Sequence, residues 1–189
     1  ELYLDNNVQG TLNVLLAAKE NGIKKVVQAS SSSVYGDSPT LPKVESMPIN
    51  PKSPYAMSKV SCEHYGSIFT HVYGLPVISL RYFNVFGPRQ NPHSHYAAVI
   101  PLFAKALLNN SSPTIYGDGK QTRDFTYIDN VIQANINSCF AATDANGLAF
   151  NIGGFKNISV TNLANRMNKL LNKTIALNYT DKRLGDVQD

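Results

Sequence analysis

Lys25-Val26-Val27-Gln28-Ala29-Ser30 is a short, largely apolar run, and Ser31-Ser32-Ser33-Val34-Tyr35-Gly36 follows it directly. Such a run, ended by small polar residues, reads as a buried strand over 25–30. Residues 77–82 repeat the pattern as a second buried strand. Between the two, residues 55–73 read as a helix stopped by Gly74 and Pro76. Upstream, Val8, Leu12, Leu15 and Leu16 stand at helical spacing and predict a helix over 7–20, with Asp5 to Asn7 as candidate caps and Asn21-Gly22 as its stop. Downstream, helices are expected over 97–109, 129–142 and 160–172. Further strands are expected over 113–116, 148–152 and 175–179, with a polar loop over 36–54 and another over 88–95.

Strand and helix thus alternate along the chain, and the strands are nearly continuous apolar runs. That combination predicts an α/β fold, a parallel sheet with helices on both faces. Ligands of such sheets lie at the carboxyl ends of the strands, so the residues after each strand are the first to inspect. Ser31-Ser32-Ser33 follows the first and Phe83-Asn84-Val85-Phe86-Gly87 the second.

Composition narrows the function classes. The chain has 189 residues, 43% hydrophobic and 16% charged, with a formal net charge of +4. It is long enough for a packed core and too apolar for disorder. The basic residues are spread singly or in pairs, without the runs expected of a nucleic-acid binder, so no nucleic-acid partner is expected. No stretch approaches the ~18 apolar residues of a membrane span. Residues 1–20 show no secretory signal, so a cytoplasmic protein is expected. Cys62 and Cys139 lie in helical patterns without a CxxC spacing and are expected to be reduced and packed. His93 and His95 lack a third ligand nearby, and no metal site is expected.

The chemistry centres on Tyr55-Ala56-Met57-Ser58-Lys59. On a helix, residues i and i+4 share a face with Cβ atoms about 5–6 Å apart. A free phenol, with a pKa of about 10, is a poor base at neutral pH. An adjacent ammonium stabilises the phenolate and makes a tyrosine usable as an acid/base. Ser31, at a strand end, can donate a hydrogen bond to the same substrate oxygen. Taken alone, a pair at this spacing is more often a chance feature of a surface helix.

Its company is more specific. Ser30-Ser31-Ser32-Ser33-Val34-Tyr35-Gly36-Asp37, Ser53-Pro54-Tyr55-Ala56-Met57-Ser58-Lys59 and Leu80-Arg81-Tyr82-Phe83-Asn84-Val85-Phe86-Gly87-Pro88-Arg89 resemble the extended short-chain dehydrogenase/reductases. So do Asn6-Asn7-Val8-Gln9-Gly10-Thr11, Arg123-Asp124-Phe125-Thr126-Tyr127-Ile128-Asp129-Asn130-Val131 and Arg183-Leu184-Gly185-Asp186-Val187. Within that family the resemblance is to the NAD-dependent nucleotide-sugar 4-epimerases, and Ala97-Ala98-Val99-Ile100-Pro101 is most similar to UDP-N-acetylglucosamine 4-epimerases.

The resemblance implies part of a Rossmann-like doubly wound parallel sheet with a small interleaved α/β substrate domain. Its boundaries would be 1–92 and 129–155 for the dinucleotide-binding part, and 93–128 and 156–189 for the substrate part. It implies Tyr55 as acid/base, Lys59 as its partner and a holder of the NAD ribose, and Ser31 on the sugar 4-oxygen. Asn6 and Phe83 would also touch NAD. Ser32, Ser33, Asn84, Ala98, Val99, Thr114, Ile115 and Tyr116 would line the UDP-sugar site. Arg123 and Arg183 would clamp the diphosphate, and Asp186 would accept from the uridine ribose. A guanidinium fork suits phosphate; the alternative for Arg123 is a structural ion pair with Asp124 or Asp129. A homodimer through the helices that include the Tyr-x-x-x-Lys helix is also implied.

The implied reaction is a reversible oxidation at the sugar C4, with the cofactor kept bound. Ser32 and Ser33 stand where related dehydratases and decarboxylases carry acidic residues, which favours epimerisation, with UDP-glucuronate 4-epimerase as the nearest alternative. The chain contains no G-x-x-G-x-x-G or G-x-G-x-x-G. The family begins with that turn, so a front portion on the order of 90 residues is expected to be missing, and a C-terminal portion after Asp189 as well. Two classes follow: part of an epimerase, inactive when isolated, or a non-catalytic remnant that binds a UDP-sugar or a protein partner.

Overall fold

In a computed structural model of the chain, the residues described are 1–91, 98–154 and 156–181. A π-wound segment at Leu4–Gln9 runs into α1 (Gly10–Glu20). β1 (Val26–Ser31) is followed by a 3₁₀ turn (Ser32–Tyr35), then α2 (Pro54–Tyr73), β2 (Val77–Tyr82) and β3 (Val85–Phe86). Next come α3 (Val99–Leu108), β4 (Thr114–Tyr116), β5 (Thr122–Asp124), β6 (Thr126–Tyr127) and α4 (Ile128–Cys139). β7 (Ala149–Ile152), β8 (Asn157–Ser159), α5 (Val160–Leu170) and β9 (Asn178–Thr180) complete the order. The α/β class expected from the alternation is observed.

The chain forms two compact units, residues 1–83 with 129–153, and residues 84–128 with 154–189. In the first unit β1, β2 and β7 form a parallel sheet in that order. β2 is the middle strand, and five of its six residues are buried. This is why it reads as an uninterrupted run rather than as an alternation. Helix α2 opens where Ser53 accepts the Ala56 N–H at 3.1 Å and Pro54 occupies the first turn. It closes at Gly74, whose φ of 70° is the left-handed conformation that glycine adopts without penalty.

Gly66 in mid-helix lets α2 approach the sheet. A Cβ there would stand 2.6 Å from Gln28 Nε2 and 2.9 Å from Val77 Cγ1. Leu15, Ala18, Phe69, Leu75 and Val77 form the core between α1, α2 and β2. Each large side chain so buried contributes about 1.5–3 kcal/mol. Val34, Tyr35 and Val60, with Phe83 against them, form a second cluster beside the 3₁₀ turn.

The second unit is built from short pairings: β3 with β6 and β4 with β9 in parallel, β5 with β8 antiparallel. Its core is Phe103, Ile115, Val160, Leu163 and Ala164. Ser159 caps α5, accepting the Asn162 N–H at 3.2 Å. The Asp124 carboxylate accepts the Gly154 N–H at 2.9 and 3.1 Å, joining the unit's two stretches of chain.

Several details depart from the sequence reading. The π segment extends the first helix towards the N-terminus. The last strand lies at Asn178–Thr180 rather than over 175–179. β3, β5, β6 and β8 carry no period that two or three residues could express. The first boundary between units falls after Phe83 rather than after residue 92. Asn84 already belongs to the second unit, donating to the Asp124 carbonyl at 2.9 Å and accepting the Thr126 N–H at 3.3 Å. Cys62 is buried as expected, but Cys139 is exposed, and both are free thiols. Among the described residues no helix is long and apolar enough to cross a membrane.

Candidate active site

Tyr55 is placed by the start of α2. Fixed by the Ser53 cap and Pro54, it lies in the first turn, half-buried, and its ring meets Tyr3 edge-on at 5.7 Å between centroids. Ser58, one turn on, donates to the Tyr55 carbonyl at 2.7 Å and accepts from Asn7 Nδ2 at 2.9 Å. The π segment, which carries Asn7, is thereby fastened to the turn that carries Tyr55. π-wound turns recur at functional sites because they re-aim side chains that an α-helix would place elsewhere.

Lys59 follows on the same face, its Nζ 5.9 Å from the Tyr55 ring centroid. The ammonium donates to the Ala29 carbonyl at 3.2 Å. Ala29 lies two residues before Ser31, so Lys59 is anchored to the carboxyl end of β1. The Tyr55 hydroxyl has no hydrogen-bond partner among the described residues.

Ser31 ends β1 in extended geometry and begins the 3₁₀ turn, its Oγ accepting the Ser33 N–H at 3.2 Å and the Ser33 hydroxyl at 2.9 Å. Its own O–H proton is left to donate outward, the capacity a substrate oxygen requires. Ser32 and Ser33 are half-buried in the same turn. Gly36 closes it with φ 65°, and a Cβ there would stand 2.1 Å from the Asn50 carbonyl oxygen.

Of the expected cofactor contacts, Asn6 lies exposed in the π segment, its amide donating to the Leu2 carbonyl at 3.0 Å. Phe83, at the end of β2, packs against Tyr35 with centroids 6.4 Å apart. The first unit therefore holds Asn6, Ser31, Ser32, Ser33, Tyr55, Lys59 and Phe83.

A network that the sequence reading left unassigned lies beneath them. The Glu63 carboxylate receives Arg81 Nε at 2.9 Å and Nη2 at 2.8 Å, together with the Ser30 hydroxyl at 2.5 Å. Arg81 Nη1 donates to the Tyr35 hydroxyl at 2.7 Å, and Tyr35 donates to Asn151 Oδ1 at 2.7 Å. Burial opposes the Arg81 charge. The hydrogen bonds and charge of Glu63 and Tyr35 outweigh that penalty and hold the guanidinium above its ordinary pKa. The spacing Tyr55-x-x-x-Lys59-x-x-x-Glu63 was the available signal, since it extends one helical face by a further turn.

The other expected substrate residues lie in the second unit. Asn84 has a φ of 27°, within the region that asparagine tolerates better than most residues. Ala98 is the N-cap of α3, with Val99 its first residue. Thr114 is exposed and Tyr116 half-buried on β4, whereas the Ile115 side chain is fully buried in the core, leaving only its backbone for a ligand. Arg123 on β5 is half-buried and donates through Nη1 to the Thr122 carbonyl at 2.7 Å. Arg183 and Asp186 lie outside the described residues.

A 44% identical relative over 160 residues is a putative UDP-glucose 4-epimerase of Methanocaldococcus jannaschii, matched over 84% of this chain and 51% of its own. Among solved structures, a UDP-N-acetylglucosamine 4-epimerase from Methanobrevibacter ruminantium, in complex with UDP-N-acetylmuramic acid, superposes with a TM-score of 0.94. It shares 45% identity, covering 98% of this chain and 59% of that one. The UDP-glucuronic acid 4-epimerase of Bacillus cereus, as a tyrosine-to-phenylalanine mutant holding NAD and a fluorinated UDP-glucuronic acid, gives 0.89 at 32% identity, covering 98% and 57%. The chain thus spans little more than half the length of the relatives it matches. The family model matches residues 1–153, the stretch that holds the serine turn, Tyr55, Lys59 and the parallel sheet, and this chain belongs to the NAD dependent epimerase/dehydratase family.

Proposed function

We propose that this chain carries the acid/base site and part of the sugar-nucleotide site of an NAD-dependent UDP-sugar 4-epimerase. The reading rests on one observation. A tyrosine hydroxyl without a partner among the described residues stands beside a lysine that is itself anchored next to the strand-end Ser31. That is the equipment for taking a proton from a secondary alcohol and returning it.

The residues present fit the cofactor's reactive end. Lys59 has N–H donors beyond the one given to Ala29, and Asn6 and Phe83 belong to the same unit. Lys59, Asn6 and Phe83 would hold it. When bound, NAD supplies two-electron redox chemistry at the sugar C4. Tyr55 Oη accepts the 4-hydroxyl proton and later gives it back, while Lys59 keeps the phenolate stabilised in between. Ser31 donates to the 4-oxygen and keeps it oriented through both steps. Arg123, with Arg183 and Asp186, would bind the diphosphate and ribose, and Asn84, Ala98, Val99, Thr114, Ile115 and Tyr116 the remainder of the UDP-sugar.

The preferred substrates are UDP-N-acetylglucosamine and its C4 epimer, or UDP-glucose and UDP-galactose, supported by the small Ala98 and by the likeness to enzymes named for these sugars. A UDP-glucuronate 4-epimerase is the second reading, supported by the likeness to the Bacillus cereus enzyme. Ser32 and Ser33 offer no carboxyl group to protonate a departing hydroxyl, which disfavours dehydration. Met57, Ile68, Val72 and Tyr73 on α2 and Val14 on α1 are exposed apolar residues, which supports a homodimer through these helices.

The test is direct. The protein that carries this chain, mixed with NAD and each UDP-sugar, is expected to form the 4-epimer. Tyr55→Phe is expected to lower turnover on the order of 10²–10⁴-fold. Wild-type turnover in Tyr55→Phe would sink the reading. The isolated 189 residues are expected to be inactive, and UDP-sugar binding without turnover in the whole protein would favour a non-catalytic binding role.

A further inference from the structure

Glu63 stands four residues beyond Lys59 and eight beyond Tyr55, so the three share one face of α2 over about two turns. Its carboxylate is held by both arms of the Arg81 fork, with the two side chains only 9% and 7% exposed. The same carboxylate accepts from Ser30, the residue immediately before Ser31. The third arm of Arg81 reaches Tyr35, the last residue of the 3₁₀ turn that Ser31 caps. Ser30, Arg81 and Asn151 are aligned in register across β1, β2 and β7, and Tyr35 bonds Asn151 in turn.

Both halves of the acid/base site therefore end on one buried carboxylate, Tyr55 and Lys59 through α2, and Ser31 through β1 and the serine turn. A buried ion pair of this kind adds little net stability over apolar residues of similar volume. What it adds is geometry. Apolar contacts tolerate a sliding helix, whereas a bidentate fork accepts one placement.

We propose that Glu63 and Arg81 are positioning residues: they fix the register of α2 against β1 and β2, so that Tyr55 and Lys59 face Ser31. This rests on the acid/base reading given above and extends it to residues that touch neither substrate nor cofactor.

The test uses the protein that carries this chain and two variants. Glu63→Asp keeps the charge and shortens the arm by one methylene. Glu63→Gln combined with Arg81→Met removes both charges at similar volume. In both, the melting temperature is expected to stay near that of the wild type, while kcat falls roughly 10- to 100-fold and KM for the UDP-sugar stays within about threefold. A crystal structure of Glu63→Asp reads the same effect without turnover, as a Lys59 Nζ displaced from the Ala29 carbonyl.

A folded variant with wild-type kcat overturns the proposal, as does a Lys59 that has not moved in Glu63→Asp. Loss of folding in both variants overturns it too, because the pair would then be a folding determinant. Failure of the functional reading shows up separately, as a wild-type protein without epimerase activity or a Tyr55→Phe variant that retains it.

Discussion

The two units are held together by different means. In the first, the sheet that ends in Ser31 and the helix that carries Tyr55 and Lys59 bury polar groups: Ser30, Ser79 and Arg81 lie in the strands, and Ser58 lies in the helix. In the second, the cluster of Phe103, Ile115, Val160, Leu163 and Ala164 is apolar, the buried polar side chains Thr126 and Asn168 lie in this unit without a buried ion pair among the described residues, and the strands pair two or three residues at a time. A buried polar group is costly unless its partner is in one place, so the first unit gains a unique register from its network. The apolar core gains stability from area and shape, and it tolerates repacking.

Four measurements would break or sharpen that contrast. Arg81→Met leaves the Glu63 charge buried and unpaired, and is expected to cost about 3–5 kcal/mol in urea denaturation, most of it regained when Glu63→Gln is added. A single variant within about 1 kcal/mol of the wild type would show that water reaches the carboxylate and would end the comparison on the polar side. Phe103→Ala in the second unit is expected to cost a similar amount, about 3–5 kcal/mol, through transfer and cavity terms, with no second-site charge change able to restore it.

Gly66→Ala comes next. Its methyl group would press on Gln28 and Val77, and Gln28 Nε2 already donates to the Cys62 carbonyl and to Ser79 at 2.8 Å each. A loss of about 1–3 kcal/mol is expected, against the gain that alanine brings to an ordinary helix. The smallest effect is a matched pair. Ser53→Ala and Ser159→Ala remove the same capping bond from α2 and α5, and each should cost about 1 kcal/mol. A much larger loss at Ser53, read by thermal melts of both variants, would mean that the cap of α2 is coupled to the network below Tyr55.

Much of the fold was legible in the sequence. α2, β1, β2 and β7 lie within a residue or two of their expected bounds, because their apolar periods and their Gly and Pro stops are local signals. Tyr55 and Lys59 were legible for the same reason, since helical spacing alone puts them on one face. The short strands of the second unit were not, and neither was the exposure of Cys139 on an otherwise helical pattern. Glu63 and Arg81 read in sequence as two charges 18 residues apart, of the residue types most often found on surfaces. Only their pairing explains why both can be buried.

By itself, then, the sequence determined the alternation of strand and helix, the parallel sheet and the helix face that carries Tyr55 and Lys59. Each of these follows from residues within a few turns of one another. Tertiary structure decided which polar groups leave water and with what partner. Parallel pairing of β1, β2 and β7 brings Ser30, Arg81 and Asn151 into one row beneath Glu63, and no local period encodes a contact between strands separated by whole helices.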